Sequence, residues 1–406
     1  MRAIELAEGT YFLRANIENG DLFEGLWPIP DGVSLNTYLV KGEKTAMIDL
    51  VRDWDNAPEA ITGELKSLDV DYSDLDYLIL NHLEPDHTGW LKEMHKKNPN
   101  IEIFATKKGI DLVKEFYEIE ENLHSIEDGE ELDLGNGKVI QFFTAPNVHW
   151  PETMVTYEKG TGILFSCDAF GSFGSLGDAV FDDEISDEQH EFYEKETLRY
   201  YANIVASFSN FVERAIKKLS DLDIKMIAPS HGIIWREDPK KIIDRYARYA
   251  SYAKGTAEPE ITIVWGSMYG NTQRVLGEVV RGIRSENVPV HIHQVPNEDV
   301  SYALSDAWKS TGLVLGMPTY EYKMFPPMAY VLEVFERKHV KNRLAFRFGS
   351  FGWSGGAQKE LDSRTEKMKW DFLDPVEWQG AAGDEDMKTA YQRGAELARG
   401  VKEKAQ

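Results

Sequence analysis

The sequence predicts two α/β domains, a mixed layered sandwich followed by a doubly wound parallel sheet. Three observations carry this. The chain has 406 residues, and single hydrophobic cores stop growing at roughly 250–300 residues. In the first half, short strand-like runs are interleaved with helical stretches, the pattern of a mixed layer architecture. Beyond Lys254 the rhythm becomes a regular strand–helix alternation, the pattern of a parallel sheet covered on both faces.

Taken in order, β-prone runs fall at 11–13, 37–40, 46–50, 77–80, 101–104, 139–144, 153–157 and 163–166. Helical patterns lie near 58–67 and 90–97, and 187–219 reads as one or two long helices. Gly255-Thr256-Ala257-Glu258-Pro259 has a helix breaker at each end and is the expected linker. The domains are therefore placed at 1–254 and 260–406. In the second, strands are expected at 261–265, 288–293, 312–315 and 344–348. Helices are expected from Thr272, near 300–308, near 328–337 and up to Lys404.

Composition bounds the function. Apolar residues make up 42% of the chain, enough for well-buried cores. The net charge of −24 repels nucleic acid and anionic membranes, so neither is an expected partner. Cys167 is the single cysteine, which excludes an intrachain disulfide and an all-cysteine iron–sulfur site within the chain. The start of the chain lacks the pattern of a signal peptide, and no run approaches the roughly 20 apolar residues of a membrane span. A cytoplasmic protein is expected, with any metal held by histidines and carboxylates.

The strongest local signal is His82-Leu83-Glu84-Pro85-Asp86-His87, just past the apolar run 77–80. It places four metal-capable side chains in six residues, at the kind of strand end where such sheets carry their chemistry. His149, Asp168 and His231 each follow a later apolar strand. Taken singly, each reads as readily as a structural residue. Together they fit loops converging on one rim of a sheet. The arrangement resembles the metallo-β-lactamase superfamily, most of which carries H-x-H-x-D-H. Here Glu84 stands at the second histidine, and an imidazole-to-carboxylate change favours iron or manganese over zinc.

The second domain opens with an apolar strand and then Ser267, Met268, Tyr269, Gly270, Asn271 and Thr272 before a helix. Backbone amides and hydroxyls at a helix N-terminus form an anion site. The Walker lysine is missing, which disfavours a nucleoside triphosphate and suits the phosphate of FMN. Pro318, Thr319 and Tyr320 follow the next central strand. Ser350, Phe351, Gly352, Trp353, Ser354 and Gly355 follow the one after. Both loops lie where flavodoxin-like folds bind flavin.

Across nearly its whole length the chain resembles the flavodiiron proteins, also called A-type flavoproteins. In these a metallo-β-lactamase-like αββα sandwich precedes a flavodoxin-like doubly wound parallel sheet. The resemblance implies two iron ions. His82, Glu84, His149 and Asp168 would hold one, and Asp86, His87, His231 and Asp168 the other, with Asp168 bridging. It implies FMN in the three loops above. It implies reduction of dioxygen to water or nitric oxide to nitrous oxide, in a homodimer or dimer of dimers. The flavin of one chain would serve the irons of the other. Some members place a histidine near the pocket in an early F-H-G segment; here Phe23-Glu24-Gly25 stands there, making Glu24 a pocket residue. The sequence shows no rubredoxin or flavin-reductase extension after 404. An external donor is therefore expected, either a small redox protein of the rubredoxin kind or a reduced deazaflavin coenzyme. Two other readings stay open from the residues. A metal-dependent hydrolase would hold zinc and no flavin, and a flavodoxin-like electron carrier would have no catalytic metal.

Overall fold

The computed structural model describes residues 2–255 and 257–404. Met1, Ala405 and Gln406, at the chain ends, and Thr256, within the expected linker, lie outside the described residues. The chain divides into two compact units, one comprising Met1–Tyr201 with Asn210–Ala247, the other Ala202–Ser209 with Arg248–Gln406.

The first unit is built on two sheets. One has seven strands in the order Ile4–Ala7, Thr10–Ile17, Val33–Lys41, Thr45–Ile48, Tyr77–Ile79, Glu102–Thr106 and Leu123–Ile126. Its first four strands pair antiparallel and the rest parallel. The other has five, Glu131–Asp133, Val139–Thr144, Met154–Glu158, Ile163–Cys167 and Met226–Pro229. Eight of the nine residues of Val33–Lys41, and all of Met154–Glu158 and Ile163–Cys167, are buried. Strands covered on both faces read as continuous apolar runs rather than alternating ones, which is why the sequence marks them so clearly. Tyr38 joins the layers. Its ring lies 4.9 Å from that of Phe165 on the opposite sheet, and its hydroxyl donates to the Pro229 carbonyl at 2.6 Å. Asn36 Nδ2 donates to the carbonyls of Pro229 and Gly232, both at 2.9 Å. These bonds fix the loop after Met226–Pro229 against the first sheet. Helices Ala57–Lys66 and Lys107–Tyr117 pack on the first sheet. Ile216 of Ser209–Lys218 and Ile243 of Pro239–Ser251 meet Leu164 of the second sheet around a common cavity.

The expected helical stretch 187–219 is two helices. Asp187–Tyr200 begins at a capping box of Ser186 and Gln189. A π-helical turn, Tyr201–Val205, and a 3₁₀ turn, Ala206–Phe208, separate it from Ser209–Lys218.

The second unit has a parallel sheet ordered Val290–Gln294, Glu258–Trp265, Ser310–Gly316, Leu344–Phe351 and Asp371–Phe372, with Val376–Gln379 also paired to Leu344–Phe351. Helices Asn271–Arg284 and Asp384–Lys404 cover the face holding Phe346 and Phe348, burying Val279 and Leu397 in the same core. The strand expected at 261–265 starts earlier, at Glu258, so Glu258 and Pro259 belong to the sheet rather than to the linker. Glu258 pairs with Ser310, and the register then slips before Ile261 pairs with Gly312. A proline cannot donate to the ladder and is accommodated at such an irregularity.

Candidate metal centre and flavin-binding loops

All seven metal-capable residues singled out from the sequence meet at one rim of the first unit. Strand Tyr77–Ile79 ends three residues before His82, and Pro85 starts a short helical turn, Pro85–Thr88, that carries Asp86 and His87. Strand Ile163–Cys167 ends one residue before Asp168. Cys167 has a φ of 53°, a left-handed conformation rare for a non-glycine residue. Such a conformation costs about 1–3 kcal/mol and persists only where surrounding structure enforces it; here it sets the direction in which Asp168 leaves the strand. His231 is followed by Gly232, whose φ is 78° and whose position leaves no room for a side chain. A Cβ there would lie 2.1 Å from Ser172 Oγ.

The two oxygens of Asp168 face different partners. Oδ2 lies 3.0 Å from His149 Nε2 and 3.6 Å from His82 Nε2, while Oδ1 lies 2.8 Å from His87 Nε2 and 3.3 Å from His231 Nε2. Glu84 Oε2 completes the first group, at 2.9 Å from His149 Nε2 and 3.3 Å from His82 Nε2. Asp86 completes the second, with Oδ2 3.3 Å from His231 Nε2 and Oδ1 3.5 Å from His87 Nε2. The donor atoms of His82, Glu84, His149 and Asp168 lie within 4.8 Å of one another, as do those of Asp86, His87 and His231. Hydrogen bonding satisfies only part of the cluster: His87 Nε2 pairs with Asp168 Oδ1 at 2.8 Å and His82 Nε2 with Glu84 Oε2 at 3.3 Å. Both Asp86 oxygens, His149 Nε2 and His231 Nε2 are buried and make no well-formed hydrogen bond. Buried polar atoms left over after such pairing are the arrangement a cation satisfies. Four imidazoles and three carboxylates in two groups with a shared carboxylate fit a binuclear centre, and the carboxylate content fits iron.

A further set of groups, not picked out from the sequence, holds the ligands in place. Glu152 Oε1 lies 2.8 Å from His82 Nδ1 and accepts from the Leu83 amide at 3.0 Å. The Ser34 carbonyl lies 2.8 Å from His231 Nδ1. Each fixes which ring nitrogen is left for the metal. Glu152 lies three residues from His149, the one clue the sequence offers. A main-chain carbonyl carries none. Tyr200 is fully buried, with its ring 5.6 Å from that of His231. Burial, reinforced by the Asp168 and Asp86 carboxylates, drives its hydroxyl well above the usual tyrosine range.

Glu24 lines a cavity of about 400 Å³ together with Phe23, Leu26, Arg52, Trp54, Glu84, Pro85 and Asp86. Its Oε2 accepts from Trp27 Nε1 at 2.9 Å. The structure thus brings Glu24 to the same opening as one carboxylate of each metal group.

In the second unit the three expected flavin loops all follow carboxyl ends of parallel strands. Ser267 to Thr272 follow Glu258–Trp265, Pro318 to Tyr320 follow Ser310–Gly316, and Ser350 to Gly355 close Leu344–Phe351. Glu258–Trp265 lies between Val290–Gln294 and Ser310–Gly316, so the chain reverses its direction across the sheet here, and the crevice of a doubly wound sheet opens at such a point. Gly270 caps helix Asn271–Arg284 at a φ of 89°, and its Cβ position faces open space. Its amide donates to Ser267 Oγ at 3.0 Å. Thr272, in the first helical turn, is fully buried with an unpartnered hydroxyl. An open turn, free helix amides and an orphaned hydroxyl fit a phosphate. Met268, Tyr269, Tyr320 and Trp353 are exposed, Tyr269 by 92% and Trp353 by 72%. Large exposed rings around a crevice fit a planar apolar ligand. Asn271 opens the helix, and Phe351, Gly352, Ser354 and Gly355 belong to the third loop.

A binuclear, histidine- and carboxylate-lined β-lactamase-like unit and a flavodoxin-like unit thus lie in one chain. A family model described as ODP family beta lactamase matches residues 33–232, and one described as Flavodoxin matches residues 263–394. The chain is 34% identical over 381 residues to an anaerobic nitric oxide reductase flavorubredoxin from Vibrio vulnificus, covering 92% of this chain and 75% of that protein. It is 34% identical over 373 residues to the protein of that name from Enterobacter sp., with coverage of 91% and 75%. Its fold is similar to that of rubredoxin oxygen:oxidoreductase from Desulfovibrio gigas, with a TM-score of 0.92, 26% identity and 99% of both chains covered. It is similar also to a variant of the flavo di-iron protein from Thermotoga maritima, with a TM-score of 0.88, 29% identity and 98% of both chains covered. The chain belongs to the flavodiiron protein family. As a member it is an enzyme, an oxidoreductase. Among the described residues no helix is long and apolar enough to cross a membrane.

The crowded carboxylates make protons compete with metal. Burial opposes a charged imidazole at each position, but carboxylate contacts outweigh it. For His82, the bonds from Glu152 and Glu84 hold the ring at about 10. Asp168 and Asp86 hold His231 at about 10. Asp86 and Asp168 hold His87 at about 9, and Asp168 and Glu84 hold His149 at about 9. Burial likewise opposes the Glu84 and Asp168 carboxylates, and their histidine partners nonetheless hold both below the usual range. In the metal-free protein the raised histidines add stability that is complete below the unfolded value near 6.5 and is lost as pH climbs through about 9–10. The lowered carboxylates add stability that is complete above their unfolded values and is lost as pH falls through the folded ones. Metal binding must displace the imidazole protons. Loading metal-free protein with ferrous iron at about pH 7.5 under argon is therefore expected to release close to one proton per histidine into a weakly buffered indicator solution, and metal affinity should rise with pH up to about 10. Uptake without proton release would show that the four rings are neutral beforehand.

Proposed function

We propose that this enzyme reduces dioxygen to water, nitric oxide to nitrous oxide, or both, at a non-haem di-iron centre supplied with electrons through FMN. The observation that carries the reading is the division of Asp168 between two histidine groups, with Glu84 where a hydrolytic zinc site would have imidazole. In this proposal the irons belong to domain 1–254. His82, Glu84, His149 and Asp168 hold one, and Asp86, His87, His231 and Asp168 the other. The flavin belongs to domain 260–406, held by Ser267 to Thr272, Pro318 to Tyr320 and Ser350 to Gly355. FMN held there would supply electron-transfer chemistry, fed by an external donor, a small redox protein of the rubredoxin kind or a reduced deazaflavin coenzyme, and two irons held by the seven side chains would supply redox and Lewis-acid chemistry toward the gas.

The chain's own residues do the rest. Glu152 and the Ser34 carbonyl hold His82 and His231 in the tautomers that present Nε2. Phe23, Leu26 and Trp54 form the apolar part of the approach, beside the charged side chains of Arg52, Glu84 and Asp86. Glu24 sits in that lining, where a carboxylate repels developing negative charge unless it carries a proton. It therefore biases the gas-reducing step rather than reduction of the flavin.

Purified protein should hold one FMN and two irons per chain. Anaerobic stopped-flow oxidation of the reduced enzyme should be rapid with at least one of the two gases, and Glu24→His should alter the ratio of the two rates. Two zincs with no flavin, or an oxidation that is slow with both gases, would contradict the reading; an unchanged ratio would remove Glu24 from the site. The active unit in this proposal is a homodimer or dimer of dimers with the flavin of one chain serving the irons of its partner. Refolding a chain altered at Gly270 and Thr272 together with a chain altered at His149 and His231 is expected to restore part of the activity that each lacks alone. A monomer that is fully active at high dilution would overturn the trans arrangement.

A further inference from the structure

The sheet of the second unit carries a full charge in its interior. Arg347 lies on Leu344–Phe351 between Phe346 and Phe348, which belong to the apolar core on one face of the sheet. By strand alternation Arg347 points to the other face. Its residue exposure is 0%. Its carboxylate partner is Glu377 on Val376–Gln379, with Nη2 donating to Oε1 at 2.7 Å and Nη1 to the same atom at 3.3 Å. Glu377 pairs with Gly349, which makes it a diagonal neighbour of Arg347. Nε of Arg347 has no partner. Asp362, on helix Ala357–Thr365, adds a more distant negative field.

Glu377 also faces a second element. A Cβ placed on Gly355 would lie 3.3 Å from Oε1 and 3.4 Å from Oε2. The absence of a side chain at Gly355 lets the third flavin loop settle directly on this carboxylate. One anion therefore touches both a guanidinium buried in the sheet and the glycine end of that loop. A buried ion pair is weak evidence for stability, since an apolar pair of similar volume is often as stable. Its effect on a neighbouring redox group is another matter, because the fully buried guanidinium is poorly screened and its carboxylate partner, 26% exposed, is screened only in part.

We propose that Arg347 and Glu377 are positioning residues for the flavin. The guanidinium fixes the carboxylate beneath Gly355, and the balance of their two charges sets how readily the flavin at this loop is reduced. The inference rests on the assignment of FMN to these loops. Reduction takes an electron pair from the external donor and a proton from solvent, and leaves the flavin more negative than before. A balanced pair is nearly neutral toward that change. Loss of the carboxylate leaves a positive charge that favours the reduced flavin. Loss of the guanidinium leaves a negative charge that disfavours it.

The test is a potentiometric titration of the full-length holoprotein, followed by flavin absorbance, after extraction has shown how much FMN each variant holds. Glu377→Gln should raise the reduced-to-oxidised ratio at a set potential about tenfold, which is about 30 mV for a two-electron couple. Arg347→Met should shift it in the opposite direction by a similar factor, and Glu377→Asp, which keeps the charge, should stay near the native value. If Arg347→Met does not fold, the two Glu377 variants decide the matter. Unchanged potentials, or shifts of the same sign in Glu377→Gln and Arg347→Met, would reduce the pair to a structural role and overturn the proposal. A native chain that binds no FMN would instead overturn the cofactor assignment beneath it.

Discussion

The carboxylate of Asp168 lies between two pairs of imidazoles, with one oxygen turned to each. Without it, the site would be two loosely related clusters, His82 and His149 with Glu84, and His87 and His231 with Asp86. Much of the first unit's construction bears on this residue. Ile163–Cys167 is buried along its whole length, which fixes the strand end, and the left-handed turn at Cys167 directs the side chain onward. Asn36 and Tyr38 hold the loop that carries His231 to the facing sheet. The histidines approach from loops of both sheets, so the site depends on the sandwich being closed.

The charge balance of the site explains its donor set. Three carboxylates and four imidazoles buried together carry a large desolvation cost, and protons on the histidines offset it when metal is absent. Two divalent ions would do the same more completely, because each would satisfy several polar atoms that the side chains cannot satisfy among themselves. Replacement of one imidazole by Glu84 shifts the set toward harder ions and away from hydrolytic zinc chemistry. The presence of a flavodoxin-like unit in the same chain is consistent with that shift, since it supplies a redox group rather than a second binding surface.

Legibility in the sequence followed burial and local spacing. The strands covered on both faces, such as those expected at 37–40 and 163–166, stand out as apolar runs and lie within Val33–Lys41 and Ile163–Cys167. The segment from His82 to His87 concentrates its ligands locally, and the loops at Ser267 and Ser350 follow obvious strands. The expected linker was too long at its far end, because Glu258 and Pro259 join the sheet through an irregular register that a proline ordinarily argues against. Contacts made across the fold left no trace. Nothing in the order of residues ties the Ser34 carbonyl to His231, or Glu377 to Arg347, thirty residues before it in the chain. The π-helical turn at Tyr201–Val205 was equally hidden, since its composition is that of an ordinary helix.

The central claim is that one carboxylate joins two metal positions into a single centre. The direct measurement is iron content per chain in Asp168→Ala after anaerobic reconstitution with ferrous iron, alongside the native protein and a circular dichroism spectrum to establish that the variant is folded. The account predicts two irons in the native chain, and in the folded variant fewer than one, with gas reduction lost. A folded Asp168→Ala protein that keeps two irons and turns over normally would contradict it.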